Sequence, residues 1–242
     1  MWLINSSIGR KVVMSVTGIA LILFLTFHCA MNLVALFSEE GYNMICEFLG
    51  ANWYAVVATL GLAALAVIHI VFAFILTAQN RKARGNNRYE VATTTNPGIV
   101  EWFSQNMLVL GIIILIGLLV HLQNFWYNMM FAELFPNLVT PMVNAAGENI
   151  KPSDGFEFIK VTFANPCFAS LYVIWIVAIW FHLSHGFWSA LQTLGWNGKT
   201  WFCRWKLIGL IYVTLLMLMF LVVVLAFAFG CAPSLCAGSC CA

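Results

Sequence analysis

Along this chain apolar residues do not alternate, nor do they recur every third and fourth position. They form long blocks separated by short clusters of charge. The uncharged runs cover 12–38, 48–80, 102–132, 161–198 and 207–242. Each exceeds the roughly 20 residues that cross about 30 Å of hydrocarbon as a helix. Each is also too long, and too uniformly apolar, for the alternating strand of a membrane barrel. The pattern predicts an all-α integral membrane bundle of five transmembrane helices, one domain over 1–242, with spans near 12–37, 52–80, 102–131, 164–194 and 206–231. Five core helices of a soluble protein would need polar outer faces, which these runs lack. The first run is too long for a signal-peptide core and has no A-x-A-like site, so it reads as a span. Asn165-Pro166 predicts the start of the fourth helix, with Asn capping and Pro at the first position. Asn96-Pro97-Gly98 marks a turn before the third. The third connection, about 133–160, carries Pro136, Pro141, Gly147, Pro152 and Gly155 and reads as an irregular external loop.

Composition agrees. Apolar residues make up 62% of the chain and charged residues 8%, against roughly 25% charged in a soluble domain. A net charge of only +2 excludes a nucleic-acid partner. The distribution of charge sets the orientation. Arg10, Lys11, Arg81, Lys82, Arg84, Arg88, Lys199, Arg204 and Lys206 fall at the N-terminus and in the second and fourth connections. Only Lys151 and Lys160 fall on the other side, together with Glu39, Glu40, Glu47, Glu133, Glu148, Asp154 and Glu157. Basic residues mark the cytoplasmic side, so the chain reads as a multi-pass protein of the cell's inner (cytoplasmic) membrane, N-terminus inside and C-terminus outside. Trp53, Trp102, Trp126, Trp196, Trp201 and Trp205 sit near span ends, where amphipathic rings meet the headgroups.

All five histidines, His28, His69, His121, His182 and His185, lie inside spans. A lone membrane histidine is often a hydrogen-bonded helix contact, but these are distributed over four spans and no connection. At about 1.5 Å per residue, counted from cytoplasmic ends near Val12, Ala78, Trp102 and Leu194, His28 and His121 lie roughly 24 and 28 Å deep. His69 and His182 lie roughly 14 and 18 Å deep, a second layer roughly 10 Å away. Two histidines from facing helices at one depth make a bis-imidazole axial site for haem b. Zinc would need four converging ligands, and a proton relay would ordinarily include membrane carboxylates, which the spans lack. The expectation is two b haems, with propionates leaving toward Arg10, Lys11 and Lys199, and Ser15 as an inner donor. Asn32, one turn after His28, reads as a partner of that ligand or an interhelical hydrogen bond. The depth count slightly favours His185 over His182 as the ligand opposite His69, but by less than the error of a span end, so spacing alone does not choose between them.

Two segments carry a family resemblance: S-I-G-R-K (Ser7–Lys11), leading into the span of His28, and F-H-L-S-H-G-F-W-S-A-L-Q-T-L-G-W (Phe181–Trp196). With the spans of His69 and His121, the chain resembles the di-haem cytochrome b membrane anchor of succinate dehydrogenases and fumarate reductases, the five-helix single-anchor type of succinate:quinone oxidoreductase. The resemblance implies that His182 is the ligand and His185 sits beside it, pairing His69 with His182 and His28 with His121. It further implies that the chain binds no succinate itself. A flavoprotein subunit with FAD interconverts succinate and fumarate, an iron–sulfur subunit docks on the cytoplasmic face, and a quinone, menaquinone in most such anchors, reacts near the external side. Glu47, close to that side, is the candidate acid/base for quinone protons; as a bland alternative it is a solvated acid like Glu39 and Glu40.

One departure concerns Ala178-Ile179-Trp180-Phe181, where some fumarate-reducing members carry a proton-returning Glu. Its absence predicts that turnover here separates charge and responds to membrane potential. The rival readings are the cytochrome b of a hydrogenase or formate dehydrogenase, against which the Phe181–Trp196 block argues, and a non-redox transporter, which the lack of repeats and membrane carboxylates weakens. Cys29, Cys46, Cys167 and Cys203 read as small apolar residues. The tail cysteines Cys231, Cys236, Cys240 and Cys241 form neither a zinc nor a c-haem motif, and the tail reads as an uncommitted apolar end. Gly61, Gly111 and Gly117 would permit close helix or haem approach, but simple packing is the preferred reading of any one of them.

Overall fold

The computed structural model describes residues 6–84, 99–196 and 198–236. The Asn96-Pro97-Gly98 turn, Arg88, Cys240 and Cys241 lie outside them. The helices are α1 (Ser7–Val34), α2 (Glu39–Phe48), α3 (Trp53–Arg84), α4 (Ile99–Gln105), α5 (Met107–Leu134), α6 (Gly155–Ala164), α7 (Pro166–Thr193), α8 (Lys199–Ala228) and the short α9 (Pro233–Cys236). Helices α1, α3, α5, α7 and α8 are long and apolar enough to cross a bilayer, the architecture of a multi-pass membrane protein. Among the described residues no strand forms, only an isolated bridge between Val143 and Asn149.

Several span boundaries shift: α3 runs on to Arg84 rather than 80, and α5 starts at Met107 rather than 102, after the separate α4. α1 starts at Ser7 rather than 12, and α8 at Lys199 rather than 206, so Arg10, Lys11, Arg204 and Lys206 are helical. Long basic side chains allow this, since their stems lie along apolar surface while the charge reaches water. The Asn165-Pro166 start is as expected: Asn165 Oδ1 accepts from Cys167 N at 2.9 Å.

The third connection is not an irregular loop throughout. Its last part is α6, capped by Asp154, whose Oδ1 accepts from Glu157 N at 3.2 Å and from Asn43 Nδ2 at 2.9 Å. Asn43 Oδ1 in turn accepts from Phe156 N at 2.9 Å, tying α2 to α6. Phe156, Phe158, Ile159 and Phe163 are buried. Pro152 and Gly155 punctuate the start of this helix rather than preventing it. α2 is capped by Ser38, which accepts from Gly41 N at 2.9 Å.

The described residues gather into two compact units. One draws on 1–24, 61–112 and 179–214. It packs Phe103 against Trp180 and Phe181, and Trp180 Nε1 donates to Thr214 Oγ1 at 2.9 Å. The other draws on 25–60, 113–178 and 215–242. Its core includes Cys29, Ala35, Phe156, Leu216 and Ala232. The start of the tail is committed rather than free, because the end of α1 leaves carbonyls without helical donors. Ser234 supplies them, donating from N to Leu36 O at 3.0 Å and from Oγ to Ala35 O at 2.7 Å. Ser234→Ala is expected to destabilise by about 1–2 kcal/mol, read as a lower midpoint of thermal unfolding in detergent.

Candidate functional site

The first unit holds His69 of α3 and His182 of α7, ring centroids 6.4 Å apart and planes at 66°. α1 supports this pair. Thr17 Oγ1 lies 3.1 Å from His69 Nδ1, and a Cβ added to Gly18 would stand 3.3 Å from His69 Cε1. The Thr17 hydroxyl also lies 2.9 Å from Val13 O and 3.1 Å from Met14 O, which can only accept. Its single proton goes to the main chain, so His69 donates from Nδ1 to Thr17. That fixes the tautomer and leaves the Nε2 lone pair for a ligand. His182 Nδ1 is buried without a partner. The ring opposite His69 is therefore His182. His185, one turn along, packs on Trp188 at 4.9 Å.

The second unit holds His28 of α1 and His121 of α5, ring centroids 5.8 Å apart and planes at 90°. Phe125 and Trp175 flank His121 at 5.2 and 5.6 Å. Tyr172 Oη lies 3.5 Å from His121 Nδ1 and accepts from Asn124 Nδ2 at 3.4 Å. Trp175 reaches this position because residue 117 is glycine. Its indole donates to Ile114 O at 3.0 Å, and a Cβ on Gly117 would overlap the ring. Gly117 thus serves close helix approach. Gly117→Ala is expected to cost about 1–3 kcal/mol by overpacking, measurable as lost thermal stability together with altered Trp175 fluorescence. Directly after His121, α5 widens into a π-helix over Leu122–Phe131, a form that occurs preferentially at functional sites. Asn32 addresses the main chain rather than an imidazole: Nδ2 donates to His28 O at 2.7 Å and Oδ1 accepts from Tyr42 Oη at 3.3 Å.

Both pairs can be tested against a shared metal. Two imidazoles sharing one metal ion through nitrogen bonds of about 2.0 Å would stand with ring centroids about 6 Å apart. The observed 5.8 and 6.4 Å bracket that value, and the planes of axial ligands turn freely about their common axis. All five histidines are half-buried. Among the described residues no three or more His, Cys, Asp or Glu converge on one point. Two imidazoles suffice for the axial positions of a haem, and the residues present fit that group.

No family model, curated protein or solved structure matches this chain.

The remaining candidates lie apart from the rings. Arg10 and Lys11 occupy the first turns of α1, and Ser15 is buried two residues before Thr17. Glu47 is exposed near the end of α2, in an open pocket shared with Glu39, Glu40, Lys151 and Asp154. Thr17, Gly18, Tyr172 and Trp175 were not among the sequence candidates. A signal existed for two of them. Thr17 precedes His28 by three helical turns and Trp175 precedes His182 by two, so each shares a face with a histidine.

Proposed function

We propose that this chain is the membrane anchor and electron-transfer subunit of a succinate:quinone oxidoreductase, carrying electrons between a cytoplasmic iron–sulfur subunit and membrane menaquinone. An FAD flavoprotein subunit completes the enzyme. The observation that supports this most is the pairing of four histidines from four apolar helices as two facing imidazole pairs. The Phe181–Trp196 resemblance selects this complex among quinone-linked cytochromes. Haem b supplies one-electron redox chemistry when bound. His69 and His182 would hold one such group, and His28 and His121 the other, each through a neutral ring nitrogen. Thr17 keeps His69 in the tautomer that leaves Nε2 unprotonated, and Tyr172 offers His121 Nδ1 the corresponding partner. The apolar helices exclude water from both pairs. Glu47, as a solvated carboxylate, would exchange protons with the quinone.

In the complex purified with its partners, succinate should reduce the chain's b-type absorbance. Pigment reducible by dithionite but not by succinate, with no flavoprotein or iron–sulfur subunit by mass spectrometry, would point to a different quinone-linked complex.

The proposed orientation, N-terminus cytoplasmic and C-terminus external, has a thiol test. Cys167, Cys203 and Cys231 are exposed. In single-cysteine variants within sealed right-side-out vesicles, an impermeant maleimide should label Cys167 and Cys231 but spare Cys203. The reverse pattern would invert the topology. Cys46 serves as an internal control, since burial pushes its thiol up to about 11. Its reactive thiolate is scarce at any pH well below that value, so it should stay unlabelled at pH 8 even in detergent.

A further inference from the structure

Past His182, α7 carries two buried ring nitrogens with no partner, His185 Nδ1 and the Trp188 indole N–H, besides the Ser184 hydroxyl. Buried polar groups ordinarily find an acceptor, and an unpaired one calls for an explanation. The rings of His185 and Trp188 touch, with centroids 4.9 Å apart, and Trp188 meets Phe202 of α8 at 5.6 Å. Lys206 brings its ammonium 4.5 Å from the centres of both the Trp188 and Phe202 rings. Among the described residues no carboxylate pairs with Lys206. With His185 as its Nδ1–H tautomer, the cluster presents two ring donors and a cation, all within one compact unit. Such a set is built for an anion able to accept several hydrogen bonds.

Position narrows the choice of anion. His185 and Trp188 lie three and six residues beyond His182, about 4.5 and 9 Å along the helix. A haem held by His182 would carry its carboxylate arms on its rim, and these residues stand one and about two turns from that ligand. We infer that His185, Trp188 and Lys206 form a carboxylate site holding a propionate of the haem bound between His69 and His182. This inference rests on the di-haem reading. It moves that role away from Arg10, Lys11 and Lys199, which the sequence made the candidates. It also gives His185 a function that its position off the axial pair leaves open. A phospholipid phosphate has similar acceptor chemistry, and the experiment separates the two sources.

The test uses the intact complex with Lys206→Met, His185→Leu and Trp188→Phe. The last keeps the aromatic packing and removes only the N–H. Redox titration resolves the two haems, and resonance Raman spectroscopy reads the propionate bending band. Removing a cation or a donor from a propionate favours the ferric form, so one haem should titrate at lower potential in all three variants. Its propionate band should move, the other haem should be unchanged, and both haems should remain bound. Unchanged potentials and an unchanged band in all three variants would overturn the inference and leave the donors to a lipid phosphate. A wild-type complex without haem would instead overturn the di-haem reading, so pigment content tells the two failures apart.

Discussion

Replacing His182 by alanine is expected to remove one of the two proposed haems, whereas replacing His185 should leave both in place. The two residues are separated by a single helical turn and share the same short block of sequence. Only His182 stands across from His69, at 6.4 Å. His185 is turned onto Trp188. Axial ligation by two imidazoles fails when either is missing, so His69→Ala should reproduce the His182→Ala result. Haem per chain, measured as pyridine haemochrome in each purified variant, should fall by half for His69→Ala and His182→Ala. It should hold at the wild-type value for His185→Ala. Loss in His185→Ala with retention in His182→Ala would reassign the ligand.

The second large effect falls on the other pair. His28→Ala and His121→Ala should each remove the remaining haem and leave the His69–His182 site filled. Each pair is built within its own compact unit, from residues of that unit alone. Quinone reduction should drop to background in both variants, because this pair is the one expected next to the quinone. Succinate should still reduce the pigment that remains. The two readouts, visible spectroscopy and quinone turnover on one preparation, should thus separate. If either variant lost both haems while the protein stayed folded, the sites would not be independent.

Much of this was legible before the fold. The five spanning helices follow from run length and from the absence of charge, and these depend on the bilayer rather than on tertiary detail. Depth placed the histidines in two layers, because helices of known rise order residues across the bilayer, and the resemblance then paired His69 with His182. Depth could not separate His182 from His185, since one turn is smaller than the uncertainty of a span end; the facing geometry does. Thr17 and Trp175 were marked only by the helix face each shares with a histidine, His28 and His182. That Thr17 and Gly18 meet His69, and that Trp175 meets His121 over the missing side chain of Gly117, depends on packing between helices. The π-helix after His121 has no composition signal that distinguishes Leu122–Phe131 from ordinary helix. α6 was obscured by Pro152 and Gly155, which stand before its buried phenylalanines and suggest a loop. Ser234 likewise reads as part of an apolar tail until the unpaired carbonyls at the end of α1 are in view.

Haem binding by the two imidazole pairs is read from a dithionite-reduced minus oxidised visible spectrum of the purified protein, with pyridine haemochrome quantified per chain. A b-type spectrum and two haems per chain are expected. A colourless protein, folded and carrying no haem, would contradict haem binding and leave the four histidines a structural or transport role.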